Sequence, residues 1–386
     1  MDPPTRTTAS MRVALVTETW RPEINGVAMT LGRLVDGLRQ RHHCVTVVRP
    51  RQDGDVGADA HGDITLPSLP VPRYVGMRFG LPARLGLLVR WRRTPPDLVH
   101  IATEGPLGLS ALSAARELGI AVTSGFHTNF HDYTRHYGLG LLYGSVARYL
   151  RWFHNRTRAT LVPTAVQARD LGRLGFRNVH TLSRGVDAEL YRPSKRSQRL
   201  RDSWGIGPDA LVCLLVGRVA AEKNIPLALQ AFRAIRAVRP DVVMVVVGDG
   251  PERARLAAGN PDIRFTGALD PESLAEHYAS GDLFLYPSLS ETYGNVALEA
   301  MASGLAVVAF DYAAPAMHIE HRVSGMLAPF DDADEFIRMS VEAACDLAWI
   351  RRMGAQACVR ASGQSWSSII DQFEAILTSA RERVCS

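Results

Sequence analysis

The sequence predicts two doubly wound α/β domains in tandem. Three observations carry this. Short apolar strand-like runs alternate with helical patterns along the chain, and a polar stretch at residues 192–199 interrupts the alternation once. The 386 residues, 46% of them hydrophobic, suffice for two cores. The expected boundaries are residues 1–190 for an amino-terminal domain, 191–365 for a second domain, and 366–386 for a closing helical segment.

Residues 11–17 are the first apolar strand, followed by a loop at 18–27 and a helical pattern over 28–39. Strand, loop and helix make one unit of a parallel sheet. Further strands are expected at 45–49, 98–102, 121–125 and 160–163, alternating with helices at 107–118, 141–155 and 164–174. After the polar stretch, whose composition suits a linker, the pattern restarts with strand 211–217 and helix 225–238. Strands at 242–247, 263–266, 283–286 and 305–310 continue the second sheet. A short helix at 296–302 is closed by Gly304, a residue that takes the left-handed cap conformation without strain. In parallel sheets ligand loops gather at the strands' carboxyl ends, so the default site is a cleft between the domains.

Charge divides the chain. Residues 1–195 hold 26 basic and 15 acidic side chains, net +11, whereas residues 196–386 hold 18 and 24, net −6. A basic half can steer an anionic substrate, nucleic acid or an anionic membrane surface. Within it, residues 74–93 mix Arg78, Arg84, Arg90, Arg92 and Arg93 with apolar side chains. That pattern suits an interfacial helix, and equally a helix that packs one side on its own domain. No run of 18 apolar residues occurs and residues 1–10 lack a hydrophobic signal region. A cytoplasmic protein is expected, with peripheral contact at the inner face of the cell membrane as its one membrane reading. The five cysteines are scattered without ligand-like spacing, which points to reduced, structural thiols.

Four side chains in the second half carry the chemistry. Glu291 and Glu299 flank the start and interior of the 296–302 helix, where paired carboxylates can accept hydrogen bonds from sugar or ribose hydroxyls; solvated or capping glutamates would give the same pattern. The chain has 42 arginines and only two lysines, so Lys223 in a strand-to-helix loop is compositionally unusual. With Arg218 it can neutralise a diphosphate, unless the two are a surface pair satisfied by Glu222. His127 follows an apolar strand and suits a substrate contact or a structural role. His131, four residues on, has no Cys or carboxylate set to make a zinc site. Gly26, where a loop enters a helix, lets backbone approach a phosphate or sugar, or makes a tight turn. No GxSxG, GxxxxGK[ST] or early GxGxxG motif is present.

Taken in order across nearly the whole chain, these motifs resemble the retaining GT-B glycosyltransferases of family GT4. Glu291 and Glu299 look like the ends of the family's E-x7-E motif, Arg218 and Lys223 like its diphosphate-binding pair, and residues 183–187 (Ser-Arg-Gly-Val-Asp) like its interdomain segment. The resemblance implies a GT-B fold, donor contacts from Gly26, Arg218, Lys223, Glu291, Asn295 and Glu299, and catalysis by His127, Arg218, Lys223 and Glu291. It assigns Glu299 to the donor ribose and Glu291 to the transferred sugar. It further implies front-face transfer with retained configuration, no cofactor and no metal, and a final segment near 366–376 that crosses back to the first domain. There are two departures from the pattern: Ala313 and Ala314 stand where paired glycines are common, and Ala306 where proline is.

Within that family the chain looks like GDP-mannose-dependent mannosyltransferases, by residues 290–295 and 183–187. The expected partners are a nucleoside-diphosphate sugar and a lipid or glycan acceptor. The alternative is a UDP-sugar enzyme, glucosyl or related, acting in glycolipid or polysaccharide synthesis. A nucleic-acid-binding module is the remote alternative, because it leaves the Arg218, Lys223, Glu291 and Glu299 set without a role.

Overall fold

The computed structural model describes residues 10–21, 23, 26–52, 62–70, 78–127, 140–207, 209–291 and 293–382, without the side chains of 140–143. Contacts divide the chain into two compact units, one running to Ser183 and resuming at Ile369, the other spanning Arg184–Ser368.

In the first unit, strands β1 (Arg12–Val16), β2 (Cys44–Pro50), β3 (Ile64–Leu66), β6 (Leu98–Ile101), β7 (Ala121–Gly125), β8 (Ala159–Val162) and β9 (Val179–Thr181) form one sheet in the order β3-β2-β1-β6-β7-β8-β9. All pairs are parallel. Between β3 and β6 in sequence, β4 (Ser68–Pro70) and β5 (Arg78–Gly80) make a separate antiparallel ribbon. Central strands such as β6 and β7 are buried at every position, and their polar members pair inside the core, His100 Nδ1 standing 2.9 Å from Thr123 Oγ1. Val16, Val99, Ile101, Leu107, Val122 and Phe153 share that core.

The arginine-rich stretch forms a helix over Arg84–Arg93 that turns Leu87, Leu88 and Trp91 inward. Leu85 and Val89 stay exposed at 73% and 53%. Arg84 and Arg92 both pair with Glu117, so part of the basic face is neutralised by its own unit. Residues 74–77 of the predicted segment, and His131, lie outside the described residues.

The last helix, Trp366–Glu382, belongs to the first unit from Ile369 onward. Arg41 pairs with Asp371 at 2.7 Å and Glu374 at 3.1 Å, and Arg158 donates to the Ala380 carbonyl at 2.8 Å. Ile370 lies against Gly37, where a Cβ would sit 2.1 Å from its Cδ1.

The second unit holds β10 (Val212–Val216), β11 (Val243–Val247), β12 (Arg264–Gly267), β13 (Leu283–Tyr286), β14 (Ala306–Phe310) and β15 (Gly325–Ala328), ordered β12-β11-β10-β13-β14-β15 and parallel throughout. In each sheet the strand order reverses once, between β1 and β6 and between β10 and β13. Such reversals leave a crevice at the strands' carboxyl ends.

The polar stretch read as a linker is built into this second unit. Residues 193–195 form a 3-10 turn and a helix starts at Gln198. Arg196 and Arg201 converge on Asp282 at 2.9 and 3.1 Å, and Lys195 pairs with Glu272. These residues are polar because they clamp the amino end of β13, a role composition cannot distinguish from solvation.

Candidate active site

The site grows from the reversal point of the second sheet. Leaving β10, the chain passes Gly217 (φ 152°), whose carbonyl oxygen would stand 1.9 Å from a Cβ on Gly248. Only glycine at 248 lets these strand ends come so close, and the loop that follows carries Arg218 outward. Arg218 is exposed, and among the described residues its guanidinium has no hydrogen bond or ion pair. Lys223 ends the short turn Ala221–Lys223, and Asn224 in the left-handed region (φ 50°) turns the chain into helix Ile225–Val238.

From β13 comes the carboxylate. Glu291 Oε1 accepts from Ser288 Oγ at 2.8 Å and pairs with the Lys223 ammonium. The Glu291 carbonyl accepts from Tyr312 Oη at 3.3 Å, and the Leu289 N–H donates to the Glu222 carbonyl at 3.0 Å, which ties the two loops together. Lys223 therefore pairs with Glu291 across the reversal, and not with its neighbour Glu222.

Glu299 rides on the helix Asn295–Ala302, which is entered through Gly294 at φ 99°. A side chain at 294 would meet Tyr286 Oη at 2.9 Å. Glu299 Oε2 accepts from Tyr278 Oη at 3.0 Å. Burial lifts the Glu299 carboxyl to about 7, with the Tyr278 hydrogen bond opposing. Neither glutamate caps the helix, whose first residue follows a glycine with no side-chain cap. The Tyr286 phenol is pushed well above its ordinary pKa, first by burial and then by the Glu291 carboxylate. Tyr286 Oη has Glu291 and Ser288 as hydrogen-bonding neighbours, whereas Asn295 Oδ1 is buried without a hydrogen-bond partner among the described residues. A polar atom stranded this way is costly, and a hydroxyl or N–H group of a ligand would satisfy it.

The structure thus gathers Lys223, Glu291, Glu299 and Asn295 at the carboxyl edge of one sheet, with Arg218 on the loop beside them. Gly26 and His127 belong to the first unit. His127 follows β7, half-buried, with Nε2 so near the backbone that a Cβ on Gly125 would stand 2.6 Å away. Gly26 is exposed and opens the helix Gly26–Gln40, its carbonyl accepting from Thr30 Oγ1 at 2.7 Å.

Three polar groups escaped the sequence reading. Glu18, after β1, takes the backbone N–H groups of Gly80 and Leu107. Glu104, after β6, sits 2.9 Å from Nε2 of the fully buried His154, whose Nδ1 meets Ser124 Oγ at 2.9 Å. Arg184 is buried and lies over the Tyr293 ring. Position after a predicted strand end was the available signal for the two glutamates; for Arg184 it was membership of the 183–187 segment, from which its burial could not be read. Among the described residues no group of three His, Cys, Asp or Glu side chains is placed to hold a metal ion.

Two family models match the chain: "Glycosyltransferase Family 4" over residues 24–190 and "Glycosyl transferases group 1" over residues 210–346. The chain is 33% identical over 379 residues to a GDP-mannose-dependent alpha-mannosyltransferase of Mycolicibacterium smegmatis, covering 95% of this chain and 98% of the relative. It is 32% identical over 316 residues to an alpha-monoglucosyldiacylglycerol synthase of Streptococcus pneumoniae, covering 78% and 71%. Among solved structures, Anabaena HepE in complex with UDP superposes with a TM-score of 0.76 at 19% identity, covering 96% of this chain and 100% of that one.

Proposed function

This chain belongs to glycosyltransferase family 4 and has the GT-B fold, and from that premise we propose that it transfers mannose from GDP-mannose, with retained anomeric configuration, to a hydroxyl of a lipid or glycan acceptor. The observation that carries the reading is the Lys223–Glu291 pair at the sheet reversal, flanked by the unpaired Arg218 and the half-buried Glu299. A diphosphate needs cations as its bond to the sugar breaks, and Arg218 and Lys223 supply them without a metal. Glu291 orients the transferred sugar, with Asn295 beside it. Glu299 accepts from the ribose hydroxyls.

In the step itself the sugar's C1–O bond to phosphate breaks as a bond from C1 to the acceptor oxygen forms on the same face. The electron pair leaves on the diphosphate oxygen, which also takes the acceptor's proton. No enzyme nucleophile is required, and a product of inverted configuration would sink this scheme. GDP-mannose is preferred because the relative matched over nearly full length is named for it. A UDP-sugar donor is the second reading, supported by the UDP complex of a structural neighbour. A panel of purified sugar nucleotides scored by product formation separates them: turnover of GDP-mannose is expected, and activity with UDP-glucose alone reverses the choice. Activity is expected to survive rigorous chelation, and its loss with specific rescue by a divalent ion would show that the two basic side chains do not suffice.

A further inference from the structure

Where the first sheet reverses its strand order, the loops leaving β1 and β6 each carry a carboxylate, Glu18 and Glu104. Such a reversal is where a parallel sheet opens a ligand crevice. The two loops are joined, the Glu18 N–H donating to Thr103 Oγ1 at 2.8 Å. Both oxygens of Glu18 are engaged by backbone: Oε1 accepts from the Leu107 N–H at 3.0 Å and Oε2 from the Gly80 N–H. Glu104 differs. Its Oε1 stands 2.9 Å from His154 Nε2, while Oε2 has no hydrogen bond or ion pair among the described residues and the side chain keeps 14% of its surface exposed.

The groups behind Glu104 fix its carboxylate. His154 is fully buried among the rings of Phe126, Phe153 and Phe176, with centroids 5.2, 5.3 and 5.9 Å away. A carboxylate can only accept, so in the neutral imidazole Nε2 carries the N–H, and Nδ1 accepts from Ser124 Oγ at 2.9 Å. Thr157 and Thr160 extend the chain, their Oγ1 atoms 2.9 and 3.3 Å from Ser124 Oγ. The Glu104 carbonyl accepts from Tyr149 Oη at 2.6 Å, which ties down the backbone as well. A carboxylate held from behind by a buried polar chain, with its second oxygen uncommitted at a sheet reversal, is arranged to receive a hydrogen-bond donor from a ligand.

Which donor follows from the transfer reading, on which this inference rests. There the reacting hydroxyl gives its proton to the departing diphosphate, so it has none to offer a carboxylate. We propose that Glu104 binds a second hydroxyl of the acceptor, beside the one that reacts, and that the acceptor group is therefore a sugar ring or other polyol, not an alcohol with a single hydroxyl. His154 and Ser124 are positioning residues that hold the carboxylate for it.

The test measures transfer from GDP-mannose to octyl α-D-glucopyranoside, to its monodeoxy analogues, and to 1,2-dioctanoylglycerol, which has one hydroxyl, with calorimetric binding of GDP beside it. The proteins are wild type, Glu104→Gln and Ser124→Ala. A glutamine carbonyl accepts from His154 as the carboxylate does, so a purely structural Glu104 survives the first change. Wild type is expected to mannosylate the glycoside and not the diacylglycerol. Glu104→Gln is expected to melt like wild type and bind GDP within about twofold, while kcat/KM for the glycoside falls roughly 10- to 100-fold. One monodeoxy analogue that keeps the reacting hydroxyl should bring wild type down to the same level and lose nothing further with Glu104→Gln. Ser124→Ala is expected to raise KM for the glycoside several-fold, with GDP affinity unchanged. The proposal is overturned if Glu104→Gln handles the glycoside like wild type, if its loss multiplies with that of every deoxy analogue, if the diacylglycerol is used as well as the glycoside, or if wild type binds GDP and mannosylates no glycoside offered. Wild-type protein that binds neither GDP nor UDP would instead bring down the donor reading, and the inference with it.

Discussion

Replacing Lys223 by Ala removes the ammonium that pairs with Glu291 and that the proposed function assigns to the donor's phosphates. Turnover is expected to drop about 100- to 1,000-fold with the fold intact, the scale seen when one preorganised group opposite developing charge is lost. Wild-type turnover in a folded Lys223→Ala protein would show that the pair is structural. Glu299 adds a pH dependence with two signs. Its folded pKa of about 7 lies above the ordinary 4.5, so the folded state holds the proton more tightly than the unfolded chain. Its contribution to stability is fully present below pH 4.5 and is lost as pH rises through 7. Donor affinity runs the other way, because the ionised carboxylate is the better acceptor for ribose hydroxyls. Glu299→Gln is expected to raise stability at pH 8 by on the order of 1 kcal/mol while weakening nucleotide binding. A variant that loses stability at pH 8 would contradict the burial argument. Ala313 is the third case: it stands in the left-handed region at φ 54°, where the family pattern favours glycine. Ala313→Gly is expected to gain a few tenths to about 1 kcal/mol in thermal unfolding, the relief of Cβ strain exceeding the entropy added to the unfolded chain.

At the scale of elements, the long buried strands were legible and the short ones were not. β10, β11 and β14 are apolar runs of five that a two-sided core demands, β1 is a run of four after the exposed Arg12, and each falls within its predicted range. The three-residue strands β3, β4, β5 and β9 leave too little pattern for any periodicity to show. Residues 192–199 were misread as a linker for a different reason: salt-bridge clamps on Asp282 have the same composition as solvated chain. Glu291, Glu299, Arg218 and Lys223 were legible because strand ends were legible; the Lys223–Glu291 pairing was not, since it depends on which strands are neighbours. Gly248 makes that dependence testable. A Cβ there collides with the Gly217 carbonyl, and φ 134° is itself closed to other residues. Gly248→Ala is expected to lower stability by about 2 kcal/mol or more and to reduce turnover through the loop that carries Arg218. Unaltered melting would mean that the close approach of β10 and β11 is relaxed at no cost.

Over the whole molecule, charge asymmetry was readable as a sum, and the sum overstated what the surface offers. The first half carries net +11, yet Arg84 and Arg92 are held by Glu117. Among the described residues, the guanidinium groups of Arg90 and Arg93 of the same helix have no ion pair or hydrogen bond, and with the exposed Leu85 and Val89 these residues line a groove of about 810 Å³. No helix among the described residues is long and apolar enough to cross a membrane. Contact with an anionic lipid surface, if the acceptor is lipid-borne, therefore falls to Arg90 and Arg93, with the apolar pair entering the interface. Each freed basic side chain near such a surface contributes about 1 kcal/mol, screened by salt. Sedimentation with phosphatidylserine-containing vesicles is expected to show roughly 10-fold weaker binding for the double change Arg90→Ser and Arg93→Ser, and little change for Arg84→Ser with Arg92→Ser. Glu117→Gln should do the reverse, releasing both paired arginines and strengthening binding at low salt. Equal losses from the two double variants would mean that the Glu117 pairs open at the surface, and indifference of all three to lipid charge would leave a soluble glycan as the acceptor.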